Sequence, residues 1–488
     1  MVSKLNGLST DTENEQHSPF SVTQLHSRYQ PQIEADRYIE ALNLRRDIDY
    51  FILIEPGLGY LIPALRQFRP ESKIVVLHAD NYFRVTADRY PDIPVWLPDS
   101  GIGVQEFLEE QIPEAASARI IEWRPSIRAY GDRCLELVRE STEFIKRSEA
   151  SRRTGAVFGG RWARNFFRNL ALVNRTVLYR TMDMPIVITG SGPSLEAALP
   201  QILAARKSVF VLAASSSLPA LAAGGITPDM VISTDGGGWA LLHLHACFRG
   251  ERTPPLLACS LSAAIPSQCA ALPLLPLNDG TVWQSMALQS IGIPSALVPQ
   301  RGTVTASALE LALALSSGSI FLAGMDLGIP DIRSHARPYG FDHLFYGAAS
   351  RLRPVYSQHF IRSRAIKAGG SHDVYAAWFK NRIASSPARI FSIGGNHAVL
   401  GNSLPRMNLT EDEGEHKVSG CFKIMTLNDS PAERRSHAAE TLIAALGNPQ
   451  YAAVLSGELS PLLFPSNPQV PPEEIAETLR NITRRKCG

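Results

Sequence analysis

Short apolar runs recur along the chain, and most of them end at glycine, serine or an acidic residue. In residues 50–65, YFILIEPGLGYLIPAL, an apolar strand leads into a Gly-x-Gly turn and an apolar helix start. The next run, residues 73–83, ends near the acidic residue Asp80. Strand, glycine turn, helix and strand are typical of a Rossmann-like opening unit, in which an acidic residue follows the glycines by about 20 residues. Two hypotheses stay open here: a nucleotide site, or a scaffold that kept the fold without the ligand.

A similar alternation returns from residue 185. The apolar runs are PIVITG, SVFVLAAS, MVISTD, PPLLACS, SIFLAGMD and ARIFSIGG, and Ala/Leu-rich helical segments separate them. Continuous apolar strands that alternate with helices predict a mainly parallel sheet covered on both faces. The segment between the two strand-rich regions is charged and has helical patterning.

We therefore predict an α/β protein with two Rossmann-like domains, each with a mainly parallel sheet, joined by helices and followed by a small helical C-terminal appendage. A chain of 488 residues is long enough for more than one core. The predicted segments are a disordered N-terminus 1–22, an N-terminal Rossmann-like domain 23–105, connecting helices 106–180, a central domain 181–405, and a helical C-terminal region with a tail, 406–488.

Charge and cysteine content narrow the class of protein. The formal net charge is only +2, which argues against nucleic acid as a partner because phosphate-backbone binders concentrate Lys and Arg. The six cysteines are scattered and lack the spacing of a zinc site. This pattern indicates a protein whose thiols stay reduced. The first residues are polar, and no apolar stretch has the length of a membrane span. We expect a cytoplasmic protein without membrane insertion.

The predicted strand ends of the central domain carry small and polar residues. Ligands of open parallel sheets bind at the carboxyl ends of the strands, so these residues predict a crevice that admits a ligand close to the backbone. The glycine turn that precedes a helix start also suits a phosphate. Because no lysine follows Ser194, a P-loop NTPase is excluded. The strand-end segments are GSGPS at 190–194, ASSS at 214–217, STDGG at 233–237, RGTVTAS at 301–307 and GMDLG at 324–328.

Two aspartates and several histidines are the candidate chemical groups. Asp235 and Asp326 each close a strand, where a carboxylate can orient a sugar hydroxyl, hold a cation or cap a helix. Beyond Asp326 the sequence predicts a long irregular loop rich in His, Tyr and Arg. Such a loop beside a crevice is suited to a lid that supplies a general base. Its histidines are His335, His343 and His359, and His372 follows.

Several motifs together carry a resemblance to a known family. They are ITGSGPSLEAAL, PDMVISTDGG, GTVTASALELALALSSGSIFLAGMDLG and SHARPYG, with LHSRYQPQIEADRYIEAL and IEPGLGYLIPAL nearer the N-terminus. Over residues 25–400 the chain resembles the motility accessory factors, bacterial proteins that glycosylate flagellin. The central domain is similar to bacterial sialyltransferases that use CMP-sialic acid, and Ser191 stands where their glycine turn has Asn. It also resembles the archaeal MptE-like enzymes that transfer pyrophosphate from ATP to hydroxymethylpterin.

The resemblance implies a glycosyltransferase that moves a nonulosonic acid of the pseudaminic or legionaminic type from its CMP-activated form to Ser or Thr hydroxyls of flagellin. It implies a CMP-sugar and flagellin as partners and no resident cofactor or metal site, and it leaves a requirement for Mg²⁺ open. His335 stands where the sialyltransferases place a tyrosine that assists the leaving phosphate, His372 is the nearest candidate for their catalytic histidine, and Asp326 is retained as the third catalytic candidate. The implied donor-binding residues are Gly190, Ser191, Gly192, Pro193, Ser194, Ser215, Asp235, Gly236, Gly302, Thr303 and Thr305.

Two other functions remain open at this point. A pterin pyrophosphokinase would require ATP and Mg²⁺, and therefore more crevice carboxylates than Asp235 and Asp326. A flagellin-binding assembly factor would retain the fold without catalysis. Binding of CMP, of ATP with Mg²⁺, or of neither distinguishes the three.

Overall fold

The computed structural model describes most of the chain from residue 25 to residue 484. The described ranges are 25–45, 48–113, 116–248, 255–328, 332–368, 371–384, 386, 389–394, 400, 404–407, 409, 420–467 and 469–484. The predicted disordered segment 1–22 lies outside them. The chain divides into two compact units, Met1–Arg153 (unit 1) and Thr154–Gly488 (unit 2).

Unit 1 contains a parallel sheet in which four strands are described, with order β3-β2-β1-β4. Successive residues of β1 point to opposite faces. Ile52 and Ile54 enter one buried cluster and Phe51 and Leu53 the other, so helices cover both faces. The elements are α1 Pro31–Ala41, β1 Tyr50–Ile54, α2 Leu61–Phe68, β2 Lys73–Leu77, a 3-10 turn Asn81–Arg84, α3 Val85–Arg89, β3 Val95–Trp96, α4 Val104–Gln111, β4 Ala118–Glu122, α5 Arg124–Tyr130 and α6 Asp132–Leu170, which continues into unit 2.

Unit 2 is the larger α/β unit. Its strands are β5 Arg175–Tyr179, β6 Ile186–Thr189, β7 Phe210–Ala214, β8 Met230–Ser233, β9 Leu256–Ser260, β10 Leu274–Asn278, β11 Ala296–Leu297, β12 Ile320–Ala323, β13 Ile390–Ser392 and β14 Phe422–Thr426. Its α-helices are α7 Leu195–Ala204, α8 Leu218–Ala223, α9 Gly238–His245, α10 Val282–Ser290, α11 Val304–Leu315, α12 Asp342–Gly347, α13 Val355–Ala368, α14 Ser371–Ala384, α15 Pro431–Leu446, α16 Pro449–Leu463 and α17 Pro472–Arg484. The 3-10 turns in the described part of unit 2 are Ser215–Ser217, Ala246–Phe248 and Ser267–Ala271.

The sheet of unit 2 has the order β13-β12-β6-β7-β8-β9-β10-β5-β14, and β11 pairs with β10. All described pairs are parallel except β5 with β14. The strands after β6 are added on one side of it as far as β10, whereas β12 and β13 are added on the other side. This reversal places a topological switch point between β6 and β12, where open parallel sheets bind their ligands. The mainly parallel α/β architecture predicted from the sequence is confirmed.

Alternating residues of the central strands divide the core into two layers. Val187 and Val211 pack with α7, α8 and the C-terminal helices on one face. Ile188 and Leu212 pack with α11 on the other face. A strand buried on both sides must be apolar at every position, which explains the continuous apolar runs.

The structure differs from the predicted segments in two places. Residues 106–180, predicted as connecting helices, also supply strands β4 and β5, and the boundary between the units falls inside the long helix α6. The C-terminal region is joined to the core of unit 2 because α15–α17 contribute to its buried cluster and β14 extends its sheet. The Glu458 carboxylate of α16 accepts the Val282 and Trp283 N–H groups at the start of α10, at 2.9 and 3.0 Å. None of the helices in the described part of the chain has the length and apolarity needed to cross a membrane.

Candidate functional site

The candidate site lies at the carboxyl ends of β6 and β12, at the switch point of the larger sheet. The turn after β6, residues 190–194, leads into α7, and Gly324 and Asp326 follow β12. The two strand ends are joined by backbone hydrogen bonds from Gly190 N to Ala323 O at 2.8 Å and from Gly192 N to Gly324 O at 2.9 Å. The predicted glycine turn and GMDLG segment are therefore neighbours in space.

Asp326 closes the glycine turn from the side of β12. Its Oδ2 accepts the Ser194 N–H and the Ser194 hydroxyl, each at 3.0 Å. The side chain is buried, with 6% of its surface exposed. The sequence left three roles open for Asp326: orienting a sugar hydroxyl, holding a cation or capping a helix. This contact is of the capping kind, because it satisfies the start of α7, the helix that follows the neighbouring strand β6. Three amides of the turn, those of Gly190, Gly192 and Ser194, thus already donate to protein acceptors.

Close approach of the backbones explains the glycines. A Cβ on Gly190 would lie 2.5 Å from the Gly324 carbonyl oxygen, and one on Gly192 would lie 2.7 Å from the same oxygen and overlap Asp326 Oδ2. Pro193, in the same turn, is buried. Small residues are needed here because two strand ends meet, whether or not a ligand is also present.

The segment 332–341 packs directly on the glycine turn. Ala336 N donates to the Ser191 carbonyl at 2.7 Å. Glu196, in the first turn of α7, accepts from the Arg333 guanidinium at 3.0 Å and from Arg337 N at 2.8 Å. These contacts attach the SHARPYG motif to the crevice.

A cluster of rings forms one wall of the crevice. His335 stacks on Tyr339 with ring centroids 3.9 Å apart, and its Nδ1 lies 2.8 Å from the Ser334 hydroxyl. The Tyr339 hydroxyl lies 3.5 Å from His243 Nε2. Arg362 lies over the Tyr339 ring, 5.9 Å from its centroid.

Burial sets the protonation states in this wall. The pKa of His243 is lowered to about 4, mainly because burial desolvates the ring; Asp235 opposes this shift and Arg362 adds to it. The imidazole of His243 is therefore neutral at neutral pH. Burial also raises the pKa of the Tyr339 phenol against the opposing effect of Arg362, so the phenol keeps its proton.

The end of β8 provides a second wall, close enough to the first for Asp235 to affect the pKa of His243. Asp235 is exposed, and its Oδ1 accepts the Gly237 N–H at 2.8 Å. Gly236 is buried, and a Cβ there would lie 2.5 Å from the Trp162 ring. Tyr375 belongs to the same wall: burial raises the pKa of its phenol, and Asp235 raises it further.

The start of α11 completes the rim. Thr303 is the N-cap, and its hydroxyl accepts the Thr305 and Ala306 N–H groups at 3.2 and 3.3 Å. Thr305 also approaches Gly190, because a Cβ on Gly190 would lie 3.3 Å from Thr305 Cγ2. Gly302 has a φ of +78°, and a Cβ there would lie 2.8 Å from the Tyr375 ring.

The remaining predicted residues are placed less directly. Ser215 is buried in the 3-10 turn after β7. His372 is in the first turn of α14, and its side chain lies outside the described part. The prediction of a long irregular loop after Asp326 is wrong for residues 342–347 and 355–360, which lie in α12 and in the first part of α13; His343 is exposed and His359 is buried on these helices.

In unit 1, the glycine turn and Asp80 have protein partners. Asp80 Oδ1 accepts the Tyr82 N–H at 2.9 Å, which caps the following turn. His26 Nε2 accepts the Leu58 N–H at 3.2 Å, and a Cβ on Gly57 would overlap this ring nitrogen. Of the two hypotheses for this turn, the geometry favours the scaffold. Among the described residues of the whole chain, no group of three or more His, Cys, Asp or Glu side chains is placed to hold a metal ion.

Sequence reasoning missed several residues that shape the crevice of unit 2. Trp162 lies on α6, outside the motifs, and His243 lies on α9, six residues after the STDGG segment; nothing in their local sequence marks them. Tyr339 was present in the SHARPYG motif, and its position after the histidine was the available signal. The missed residues are Trp162, Glu196, His243, Tyr339, Arg362 and Tyr375.

The MptE-like part of the resemblance is matched by a family model. Residues 161–331 match the family model described as 6-hydroxymethylpterin diphosphokinase MptE-like, which covers the crevice from Trp162 to the end of the GMDLG segment. An uncharacterized protein of Treponema pallidum (strain Nichols) is 28% identical over 338 residues, which are 68% of this chain and 73% of that protein. The structure of the MAf glycosyltransferase from Magnetospirillum magneticum AMB-1 aligns at 15% identity with a TM-score of 0.43, covering 89% of this chain and 72% of that chain.

Proposed function

We propose that unit 2 is a glycosyltransferase that moves a nonulosonic acid from a CMP-activated donor to Ser or Thr hydroxyls of flagellin. The observation that carries the proposal is the convergence, at the switch point, of the glycine turn, the start of α11, the stacked His335 and Tyr339 rings and the Asp235 carboxylate. The motif resemblance supplies the donor and the acceptor. The match of residues 161–331 to a diphosphokinase-like family supports a phosphate-bearing donor in the same crevice.

Each wall has a part in the proposed reaction. Three amides of the glycine turn already donate within the protein, so we assign the donor phosphate to Arg362, which lies over the Tyr339 ring. The exposed Asp235 carboxylate and the protonated Tyr375 phenol bind hydroxyl groups of the sugar or ribose. Asp326 is a positioning residue that holds Ser194 and the start of α7.

The bond changes are those of substitution at the anomeric carbon. The bond from this carbon to the phosphate oxygen breaks, and CMP leaves with the electron pair. The acceptor hydroxyl oxygen bonds to the same carbon, and its proton passes to a base. We assign the assistance of the leaving phosphate to His335 and keep His372 as the candidate base.

The primary test is calorimetry of the full chain with CMP in the absence of metal and, separately, with ATP and Mg²⁺. We expect CMP to bind without metal and Asp235→Ala and Gly192→Val to weaken this binding. Gly457→Ala is a matched control, since Gly457 is exposed in α16 with nothing within 4 Å of an added Cβ. Unchanged CMP affinity in both crevice variants would refute the donor site.

Transfer itself is tested by incubating the chain with flagellin and a CMP-nonulosonic acid and measuring the mass of flagellin. We expect one added sugar mass per modified site, lost in His335→Ala and His372→Ala. CMP binding with an unchanged flagellin mass would support the non-catalytic assembly factor instead.

A second function, pyrophosphate transfer from ATP to hydroxymethylpterin, is favoured by the description of the matching family model. Binding of ATP with Mg²⁺, together with no binding of CMP, would support it. Formation of a pterin diphosphate from hydroxymethylpterin and ATP would then replace the flagellin assay.

A further inference from the structure

A second ligand groove lies within unit 1. The sheet order β3-β2-β1-β4 places β2 and β4 on opposite sides of β1, so a switch point also falls between β1 and β4. A groove of about 640 Å³ opens beside the end of β4, between α1 and the start of α5. Its volume lies within the range of small-molecule sites, roughly 300–1,000 Å³. It is on the other side of β1 from Asp80, at a position that the sequence did not mark.

The floor of this groove is aromatic and fixed by hydrogen bonds. Trp123 has 2% of its surface exposed, and its Nε1 donates to the Leu25 carbonyl at 2.9 Å. Tyr38 meets the Trp123 ring edge to face at 5.1 Å, and its hydroxyl donates to the Glu122 carbonyl. Ile33 adds an apolar side chain that is 42% exposed. The floor therefore offers a preformed surface to a planar or apolar group.

The walls carry an excess of positive charge. Arg37 on α1 and Arg124 and Arg128 on α5 line the groove and are exposed. The lining carboxylate, Glu34, accepts the Ser27 N–H at 2.8 Å. Within the described residues, none of the three arginines has a carboxylate at ion-pair distance. Guanidinium groups on two facing walls suit a phosphate or carboxylate held between them.

We propose that this groove binds a small organic anion whose phosphate or carboxylate group contacts Arg37, Arg124 and Arg128 while its apolar part lies on Tyr38 and Ile33. The groove is formed by residues of unit 1 alone, so the proposal does not depend on the function proposed for unit 2. A ligand bound here would stabilise the association of α1 with the end of β4.

The test is calorimetry of the full chain with three probes: phenyl phosphate, benzoate and inorganic phosphate. We expect saturable binding of at least one aromatic anion, tighter than that of inorganic phosphate. A preference for phenyl phosphate identifies a phosphate ligand, and a preference for benzoate identifies a carboxylate ligand. Absence of saturable binding by all three probes, or binding of inorganic phosphate as tight as that of the aromatic anions, would overturn the proposal.

Variants locate the binding. The double variant Arg37→Gln/Arg124→Gln should lower the affinity for the aromatic anion by at least roughly tenfold, because two charge-assisted contacts are lost. The single variant Arg128→Gln is an independent test, and it should also lower the affinity for the aromatic anion. Arg119→Gln, an exposed arginine on β4 outside the groove, should leave the affinity within about twofold. An unchanged affinity in the groove variants, or equal weakening in Arg119→Gln, would show that the anion binds elsewhere and would also overturn the proposal.

Discussion

Gly192→Ala tests whether the junction between β6 and β12 is organised as described. The added Cβ would overlap Asp326 Oδ2 and would lie 2.7 Å from the Gly324 carbonyl oxygen. The carboxylate must then move away from Ser194 and lose two hydrogen bonds of 3.0 Å. Hydrogen bonds to charged groups contribute about 1.5–3 kcal/mol each. We therefore expect the unfolding free energy of unit 2 to fall by about 3–6 kcal/mol, a large fraction of ordinary domain stability.

The coupling between the two side chains gives a sharper test than the single variant. Asp326→Ala alone loses the same hydrogen bonds and removes the carboxylate. In the double variant Gly192→Ala/Asp326→Ala no carboxylate is displaced, so its cost should be smaller than the sum of the single costs by at least about 1 kcal/mol. The measurement is urea unfolding of all three variants beside the parent protein, followed by tryptophan fluorescence.

Gly457→Ala is the control for the general effect of replacing glycine by alanine. Gly457 is exposed in the middle of α16, and nothing lies within 4 Å of its added Cβ. Alanine should stabilise this helix by about 0.5–1 kcal/mol. A cost below about 1 kcal/mol for Gly192→Ala, or additive costs in the double variant, would refute the described contact between the turn and Asp326.

Three further predictions concern other parts of the molecule. Burial lowers the pKa of His26 from 6.5 to about 4, so the folded state favours the neutral imidazole. The stability that this provides is complete above pH 6.5 and is lost as the pH falls towards 4. Between pH 7 and pH 5, the unfolding free energy of the parent protein should fall by about 2 kcal/mol more than that of His26→Gln, as measured by denaturant titrations. Gly302→Ala combines an unfavourable φ of +78° with a Cβ 2.8 Å from the Tyr375 ring, and should weaken CMP binding roughly tenfold in calorimetry. Glu196→Gln removes the ion pair with Arg333 and should increase amide hydrogen exchange in residues 332–341.

Each of these predictions has a matched control. A parent protein whose stability changes no more than that of His26→Gln between pH 7 and 5 would contradict the first. Gly292 has a φ of +61° but nothing within 4 Å of an added Cβ, so Gly292→Ala isolates backbone strain from crowding of Tyr375. Glu477→Gln removes an exposed pair with Arg480 and should leave residues 332–341 unchanged. Equal effects of target and control would contradict the second or third prediction.

Only a few of the residues singled out from the sequence are joined to one another by contacts in the structure. Gly190–Ser194 and Asp326 were singled out as separate strand ends, and the structure joins them through Ser194. The donor-binding and catalytic assignments stay predictions, since each needs a bound donor or an assay. The groove of unit 1 shows the opposite situation, because the sequence pointed to Asp80 whereas the arginines lie beside β4.

The sequence alone determined the fold class and the edge of the sheet at which small residues collect. A strand that is covered on both faces must be apolar at every position, and a tight turn from strand to helix requires glycine. Both requirements therefore leave a pattern in the local sequence. Tertiary structure alone decided that Asp326 closes the turn after β6, that Tyr375 faces Gly302, and that the half-buried His243 lies beside Tyr339. These contacts join residues about 70–130 positions apart, and they depend on strand order and helix packing, which no local pattern of side chains specifies.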